Sequence, residues 1–229
     1  KRATRAVYIH NEGWLNPCIV VEKIDAIMAN SSLITVTDGK AARFIKEGER
    51  IASVELEDGQ VIEGDVFLLA AGATVNEIIE KSKLGINIQP VFHGVGLSIE
   101  IKSPGYRHEK CVRTPNRGGG CGAYTMPYFK HPHLMNDHIL IGASNRVQPE
   151  PVYEGRLISI HRLIQSAIEE INGHFYNAQL IRTNIGWRPT TQDTYPLMGK
   201  TSIDNFFIAS GTKRDGFHLS PLISDYMAK

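Results

Sequence analysis

Residues 186–199 read GWRPTTQDTYPLMG and residues 205–221 read NFFIASGTKRDGFHLSP, and the rest of the chain is best understood outward from these two runs. Gln179 to Trp187 is β-like, so Arg188 arrives at a strand end on a backbone that Pro189 stiffens. A guanidinium held there suits a carboxylate, because its planar fork donates two parallel hydrogen bonds. Asn205 to Ser210 predicts a short apolar strand, Gly211 and Gly216 permit tight turns, and Ser220-Pro221 predicts an N-cap followed by proline at the first helical position. Strand, glycine loop and helix start thus converge. Free N–H groups at the helix start, with Lys213 and Arg214 just before it, attract an anion or an electron-rich acceptor.

This spacing resembles the C-terminal signature of the FAD-dependent D-amino-acid oxidase, glycine oxidase and sarcosine oxidase family. That signature runs Gly-x-Arg-Pro, Asp, Pro-x-x-Gly, then Gly-x-x-x-x-Gly-x-x-Leu-x-Pro. It is matched here by Gly186, Arg188, Pro189, Asp193, Pro196, Gly199, Gly211, Gly216, Leu219 and Pro221. The resemblance implies that Arg188 pairs with a substrate carboxylate and that the loop of Arg214, Asp215, Gly216, Phe217, His218 and Leu219 lies against the flavin, with Arg214 also facing substrate. The competing reading of Arg188 is a surface bridge between two loops. FAD is expected to be held non-covalently, because the sarcosine-oxidase branch attaches it through a cysteine at the start of the segment aligned with Gly186 to Asp193, where this chain has none.

Composition narrows the alternatives. The chain has 229 residues and 42% apolar residues, enough for one large or two small domains with a core. Lys+Arg 25 against Asp+Glu 24 gives a net charge of +1, which argues against a nucleic-acid or anionic-membrane partner. Cys18, Cys111 and Cys121 show no CxxC spacing, so neither a disulfide framework nor a zinc ribbon is indicated, and a cytoplasmic setting is the expectation. No apolar run approaches the roughly 20 residues that span a bilayer. An oligomer is compatible with these features.

Taken in order, Lys1 to His10 is β-like, and Asn16-Pro17 predicts a helix over about 17–30, with apolar residues at helical spacing. Leu33–Val36, Ala41–Ile45 and Ile51–Leu56 read as strands, and Asp58-Gly59 turns a hairpin into 60–63. Asp65 to Ala71 is a continuous apolar strand of the kind buried on both faces in a parallel sheet, with Gly72-Ala73-Thr74 at its end. In the family, the segment matching Ala70 to Thr74 lets backbone approach the cofactor, nominating Ala71 and Gly72, and the backbone near Ala42 touches the adenine. Val75 to Lys81 is a short helix, and Pro90 to Ile101 begins a second β region. Its Gly94-x-Gly96 reads as a strand bend, since no helix follows it. Ser103 to Arg117 is a loop over the site, and Gly118 to Gly120 a turn. Ala123–Tyr128 and His138–Ala143 form a hairpin pair whose connection carries His131 and His133. A third ligand at useful spacing is missing, so no metal is expected. Tyr124-x-x-Pro127 matches a family context that places Tyr124 near substrate, beside the plain reading of a packed sheet tyrosine. Gly155 to Asn172 carries one apolar stripe and predicts the helix that backs this sheet.

The expected fold class is mixed α/β. A partial FAD-binding, Rossmann-like domain at 13–75 and 181–229 accompanies a mostly antiparallel substrate-domain sheet, backed by a helix, at 1–12 and 85–180. The Gly-x-Gly-x-x-Gly turn that receives a dinucleotide pyrophosphate does not occur. The sequence therefore reads as the later part of such an enzyme, its first βαβ unit supplied by a preceding segment or by a partner chain. Two functions follow from the resemblance. One is a portion of a flavoenzyme oxidising the C–N bond of a small amino acid or N-alkyl amino acid, with oxygen as acceptor, or a relative acting on a hydroxy acid or on a modified nucleoside. The other is a flavin-free binding or structural module on the same scaffold. No general acid or base is nominated, because hydride transfer asks the protein chiefly to orient.

Overall fold

The computed structural model describes residues 4–115, 122–128 and 137–229. The expected turn at Gly118–Gly120, Cys121, the connection with His131 and His133, and the first three residues of the opening β-like run lie outside them. Residues form two compact units: 1–36, 96–145 and 153–186 in one, 37–95, 146–152 and 187–229 in the other. These bounds differ from the division read from sequence in grouping residues 13–36 and 181–186 with the first unit and residues 85–95 and 146–152 with the second.

The first unit opens with α1 (Pro17–Ala29), whose start is set by Asn16, its side chain accepting from the Cys18 N–H at 3.0 Å. The main sheet has the order β10-β5-β8-β7-β6, built from β5 (Val91–Lys102), β6 (Val112–Arg113), β7 (Tyr124–Pro127), β8 (His138–Gly142) and β10 (Gln179–Thr191), with residues 91–95 and 187–191 counted in the second unit. Pairings β5·β8, β6·β7 and β7·β8 are all antiparallel, as expected. Period-two alternation decides what each face does. Leu97, Ile99, Ile101, Ile139 and Ile141 turn to one face, where Leu163, Ala167 and Phe175 cover them. Leu163 belongs to α3 (Leu157–Ser166), which continues into a π turn at Ala167–Ile171. The predicted helix is thus present, but Leu157, counted in its stripe, is 82% exposed.

The second unit holds an antiparallel meander of β1 (Ala41–Glu47), β2 (Arg50–Leu56) and β3 (Val61–Glu63). It also holds a sheet of order β11-β12-β4, with β4 (Phe67–Leu69) parallel to β12 (Phe206–Ser210) and β11 (Leu197–Lys200) antiparallel. Phe44, Ile51, Phe67, Leu69, Val75, Ile79, Phe206 and Ile208 share its core, Val75 and Ile79 coming from α2 (Val75–Ser82). β9 (Arg146–Gln148) pairs with His93–Val95 of β5.

Four expectations need correction. Residues 4–10 contain no strand, nor does Leu33–Val36, where Leu33 is 95% exposed and no strand among the described residues offers a hydrogen-bond ladder. β4 is buried on one face only, with Leu68 51% exposed. The terminal helix α4 (Gly216–Met227) begins five residues before Pro221, its N-cap is Asp215, and Ser220 is no cap. Proline is tolerated there because the Phe217 carbonyl, which the missing Pro221 N–H would have bonded, accepts from the Ser220 hydroxyl at 3.2 Å.

Candidate functional site

In the second unit, the parallel strands β4 and β12 end side by side, and each runs into small residues. β4 leads to Ala70, Ala71 and Gly72, and the Ser210 hydroxyl donates to the Gly72 carbonyl at 2.8 Å, joining the two strand ends. Gly72 has φ +58, and its turn leads directly into α2. Gly211, at φ +74, folds the chain back. A Cβ there would stand 2.6 Å from Thr191 Cγ2 and 3.0 Å from the Leu197 nitrogen, so glycine is required on both conformational and steric grounds. The loop then meets the strand that bears Arg188, where the Lys213 N–H donates to the Pro189 carbonyl at 2.9 Å. Lys213 itself sits in the left-handed region, φ 51. Ordinary side chains adopt that region at a cost.

These turns enclose a cleft of about 230 Å³ lined by Ala70, Gly72, Pro189, Ser210, Thr212 and Gly216, with Met198, Ala209, Ser220, Ile223 and Ser224 completing the wall. The lining is mostly small side chains and hydroxyls at strand ends and a helix start, with Pro189, Met198 and Ile223 as its larger apolar members. Such a lining fits a planar cofactor that backbone must approach closely. Of the nominated cofactor residues, Gly72 and Gly216 line the cleft. Ala71, Asp215, Phe217, His218 and Leu219 flank these two in sequence, and the Leu219 N–H makes the first helical bond, to the Asp215 carbonyl at 2.8 Å. Ala42 occupies a register shift of β1 and is not among the lining residues.

Arg188 lies within β10, not just after it, since the strand runs on to Thr191. The Thr190 hydroxyl donates to its carbonyl at 3.1 Å. Asp193 accepts from the Tyr195 N–H at 3.0 Å, and this bond holds its carboxyl below the ordinary range. Asp193 therefore shapes the turn between β10 and β11. Arg188, Arg214 and the glycine loop share one unit, whereas Tyr124 belongs to the other.

Tyr124 stands in β7 opposite Gly142 of β8, and a Cβ on that glycine would collide with the Tyr124 ring. The ring thus lies flat across its cross-strand partner. It shares the sheet face turned away from α3 with Met126, Leu140 and Glu100, by alternation and register. Glu100, 7% exposed, accepts from Arg182 Nη2 at 2.6 Å and Nε at 2.7 Å, and from Asn184 Nδ2 at 3.2 Å. Nearby, the Tyr128 hydroxyl meets Cys18 Sγ at 3.3 Å, and burial first, then that contact, pushes its pKa up to about 12. None of Glu100, Arg182, Asn184 or Tyr128 was nominated from sequence. The available signal was the alternation of Arg182 and Asn184 with Ile181 and Ile185 along β10, which marks a polar face on an otherwise apolar strand. Among the described residues, no group of three or more His, Cys, Asp and Glu could hold a metal ion.

The sequence model of a family described as DAO, FAD dependent oxidoreductase, matches residues 1–229, and the chain belongs to that family. It is 23% identical over 229 residues to the tRNA 5-methylaminomethyl-2-thiouridine biosynthesis bifunctional protein MnmC of Idiomarina loihiensis, a match covering 99% of this chain and 34% of that protein. It is 22% identical over 257 residues to the L-saccharopine oxidase of Schizosaccharomyces pombe, covering 98% of this chain and 57% of the oxidase. Among solved structures, it resembles iminodiacetate oxidase from Chelativorans sp. BNC1, with a TM-score of 0.71 at 20% identity, over 85% of this chain and 49% of that one. The chain therefore spans between a third and just over half the length of these relatives.

Proposed function

We propose that the complete protein oxidises the C–N bond of a small amino acid or N-alkyl amino acid, and that this chain contributes its substrate contacts and part of its cofactor contacts. The observation that carries this reading is the bond from the Lys213 N–H to the Pro189 carbonyl. It joins the strand of Arg188 to the glycine loop beside a cleft of small residues, so a carboxylate held by Arg188 is kept in register with a group seated on that loop.

Arg188 clamps the carboxylate in a two-point pair, and Arg214 adds positive charge on the loop side. Tyr124, its ring held down on Gly142, is the further substrate contact in this reading. Gly72 and Gly216 let the backbone come close to the cofactor, and the segment Asp215 to Leu219 steadies it through the N–H groups of Gly216 to His218, which precede the first helical bond at Leu219. FAD, held non-covalently, would supply the two-electron acceptor. With that acceptor bound, the substrate would lose a hydride from the carbon beside nitrogen and a proton from nitrogen, water would hydrolyse the imine, and dioxygen would serve as the final oxidant, giving hydrogen peroxide. The relatives' names support an amine substrate: one is an iminodiacetate oxidase and one an L-saccharopine oxidase. A formal net charge of +1 supports a small molecule over a tRNA, which would call for a basic face. A cytoplasmic site of action completes the reading, consistent with no helix among the described residues being long and apolar enough to cross a membrane.

The test is Arg188→Lys in the complete protein. Losing a charge-assisted, geometrically exact pair costs about 1.5–3 kcal/mol, so the KM for a carboxylate substrate should rise roughly ten- to a hundredfold while flavin content holds. A panel of D-amino acids, glycine and sarcosine, with the flavin-to-protein absorbance ratio, supplies both numbers. An unchanged KM with an active wild type removes Arg188 from the site, and a colourless wild type favours the flavin-free module.

A further inference from the structure

The strand bend at Gly94 has a neighbour that a bend alone does not explain. A Cβ added there would stand 2.6 Å from Thr190 Oγ1, 3.0 Å from the Arg188 carbonyl oxygen and 3.2 Å from Arg188 Cβ. Two of those contacts are with Arg188 itself. β5 and β10 therefore approach at a separation open only to glycine, at the residue nominated as the carboxylate clamp. Glycine inside a strand weakens it, and close backbone approach is one of the few reasons to keep it there.

The residue before each of these two is an aromatic ring, and the two rings meet. His93 and Trp187 pack edge to face with centroids 5.7 Å apart and an interplanar angle of 83°. His93 Nδ1 lies 3.1 Å from the Pro149 carbonyl, which can only accept, so Nδ1 carries the proton. Trp187 Nε1 donates to the Val152 carbonyl at 2.8 Å. Both strands are thus pinned to one short segment, 149–152, and β9 just before it pairs with β5 at His93 and Gly94. His93 is 7% exposed, so this bracket is internal to the fold.

We propose that Gly94, with the His93–Trp187 pair, is a positioning device for Arg188. The glycine permits the close approach, and the two anchored rings set where along and above the sheet the guanidinium leaves its strand. Gly94, His93 and Trp187 touch no substrate in this account and act only through Arg188. The inference rests on the reading of Arg188 as the carboxylate clamp. Its physical basis is that two-point recognition tolerates little displacement, a misplacement near 1 Å costing up to about a hundredfold.

The experiment is a double-mutant cycle in the complete flavoprotein. Gly94→Ala and Arg188→Lys are made singly and together, sarcosine is the substrate, and calorimetric titration with methoxyacetate, a carboxylate of the same shape lacking the amine, gives a Kd independent of turnover. Gly94→Ala alone should raise KM and Kd about tenfold, with a much smaller change in kcat. In the Arg188→Lys background it should add almost nothing, because the group it positions is gone. Equal factors in both backgrounds, or no change in either constant, overturn the proposal. If Gly94→Ala yields no folded flavoprotein, Trp187→Phe keeps an aromatic ring there but removes the N–H to Val152 together with part of the indole. The same cycle then applies, with a rise of about threefold expected. A wild type that neither oxidises sarcosine nor binds methoxyacetate, or an Arg188→Lys variant that matches wild type, overturns the clamp reading and the positioning role with it.

Discussion

Asn205 shows how one side chain substitutes for missing backbone pairing. It is 3% exposed, accepts from the Ile51 N–H at 2.9 Å, and donates to the Ile51 carbonyl at 2.8 Å and the Asp65 carbonyl at 3.0 Å. It therefore stitches β2 to the residues that lead into β4. Asn205→Ala should cost about 1–3 kcal/mol, since buried backbone groups lose their partner, and urea midpoints with an unchanged slope would show it. His108, 2% exposed, titrates in the opposite sense to a paired histidine: burial lowers its pKa below the ordinary 6.5. Above about 6.5 it is neutral in both folded and unfolded chains and contributes nothing to pH dependence. As pH falls below that value the unfolded chain takes up a proton that the folded chain resists, and stability declines towards the lower folded pKa. His108→Gln should flatten the acid-side slope relative to wild type, as read by unfolding midpoints between about pH 7 and 5. A variant that keeps the full slope would place that titration elsewhere.

At the scale of elements, the Glu100–Arg182–Asn184 cluster locks the register of β5 against β10 on the face away from α3. Such a pair is a weak source of net stability, because desolvation offsets its attraction, but removing one partner leaves a poorly compensated carboxylate. Arg182 is 46% exposed, so screening reduces the effect, and Arg182→Met should cost only about 1–2 kcal/mol. Replacing Glu100 and Arg182 together by apolar residues should recover most of it, which thermal melts of the three variants would test. α4 illustrates a local signal that misleads: Ser220-Pro221 has the form of a helix start, yet the helix has already begun at Gly216, and Ser220 bonds the carbonyl that proline leaves vacant. The local pair is the same in both cases. Whether it opens a helix or sits inside one depends on the upstream turn, which the Lys213–Pro189 bond closes.

For the whole molecule, the family membership and the absence of cysteine from residues 186–193 lead to a plain expectation. Acid precipitation of the complete protein should leave flavin absorbance in the supernatant, and flavin that stays with the pellet would show a covalent bond.

Much of this was legible from residues alone. Helices near 17–30, 75–81 and 155–172, the hairpin of 124–127 with 138–142, and the strand at 206–210 follow from periodicity and turn chemistry acting over a few residues. The Arg188 and glycine-loop motifs were legible because their spacing is itself a backbone constraint. Other features needed the tertiary structure. Leu33–Val36 has a strand's composition but pairs with no strand among the described residues, and a strand exists only as part of a ladder. Glu100 is separated in sequence from Arg182 by more than eighty positions, and Gly94 from Arg188 by more than ninety, so no local pattern can announce that they meet. The sequence by itself determined which segments turn, alternate and cap. Only the packed chain decided that a glycine read as a bend is the place where β5 makes room for Arg188, because close approach is a property of two strands at once.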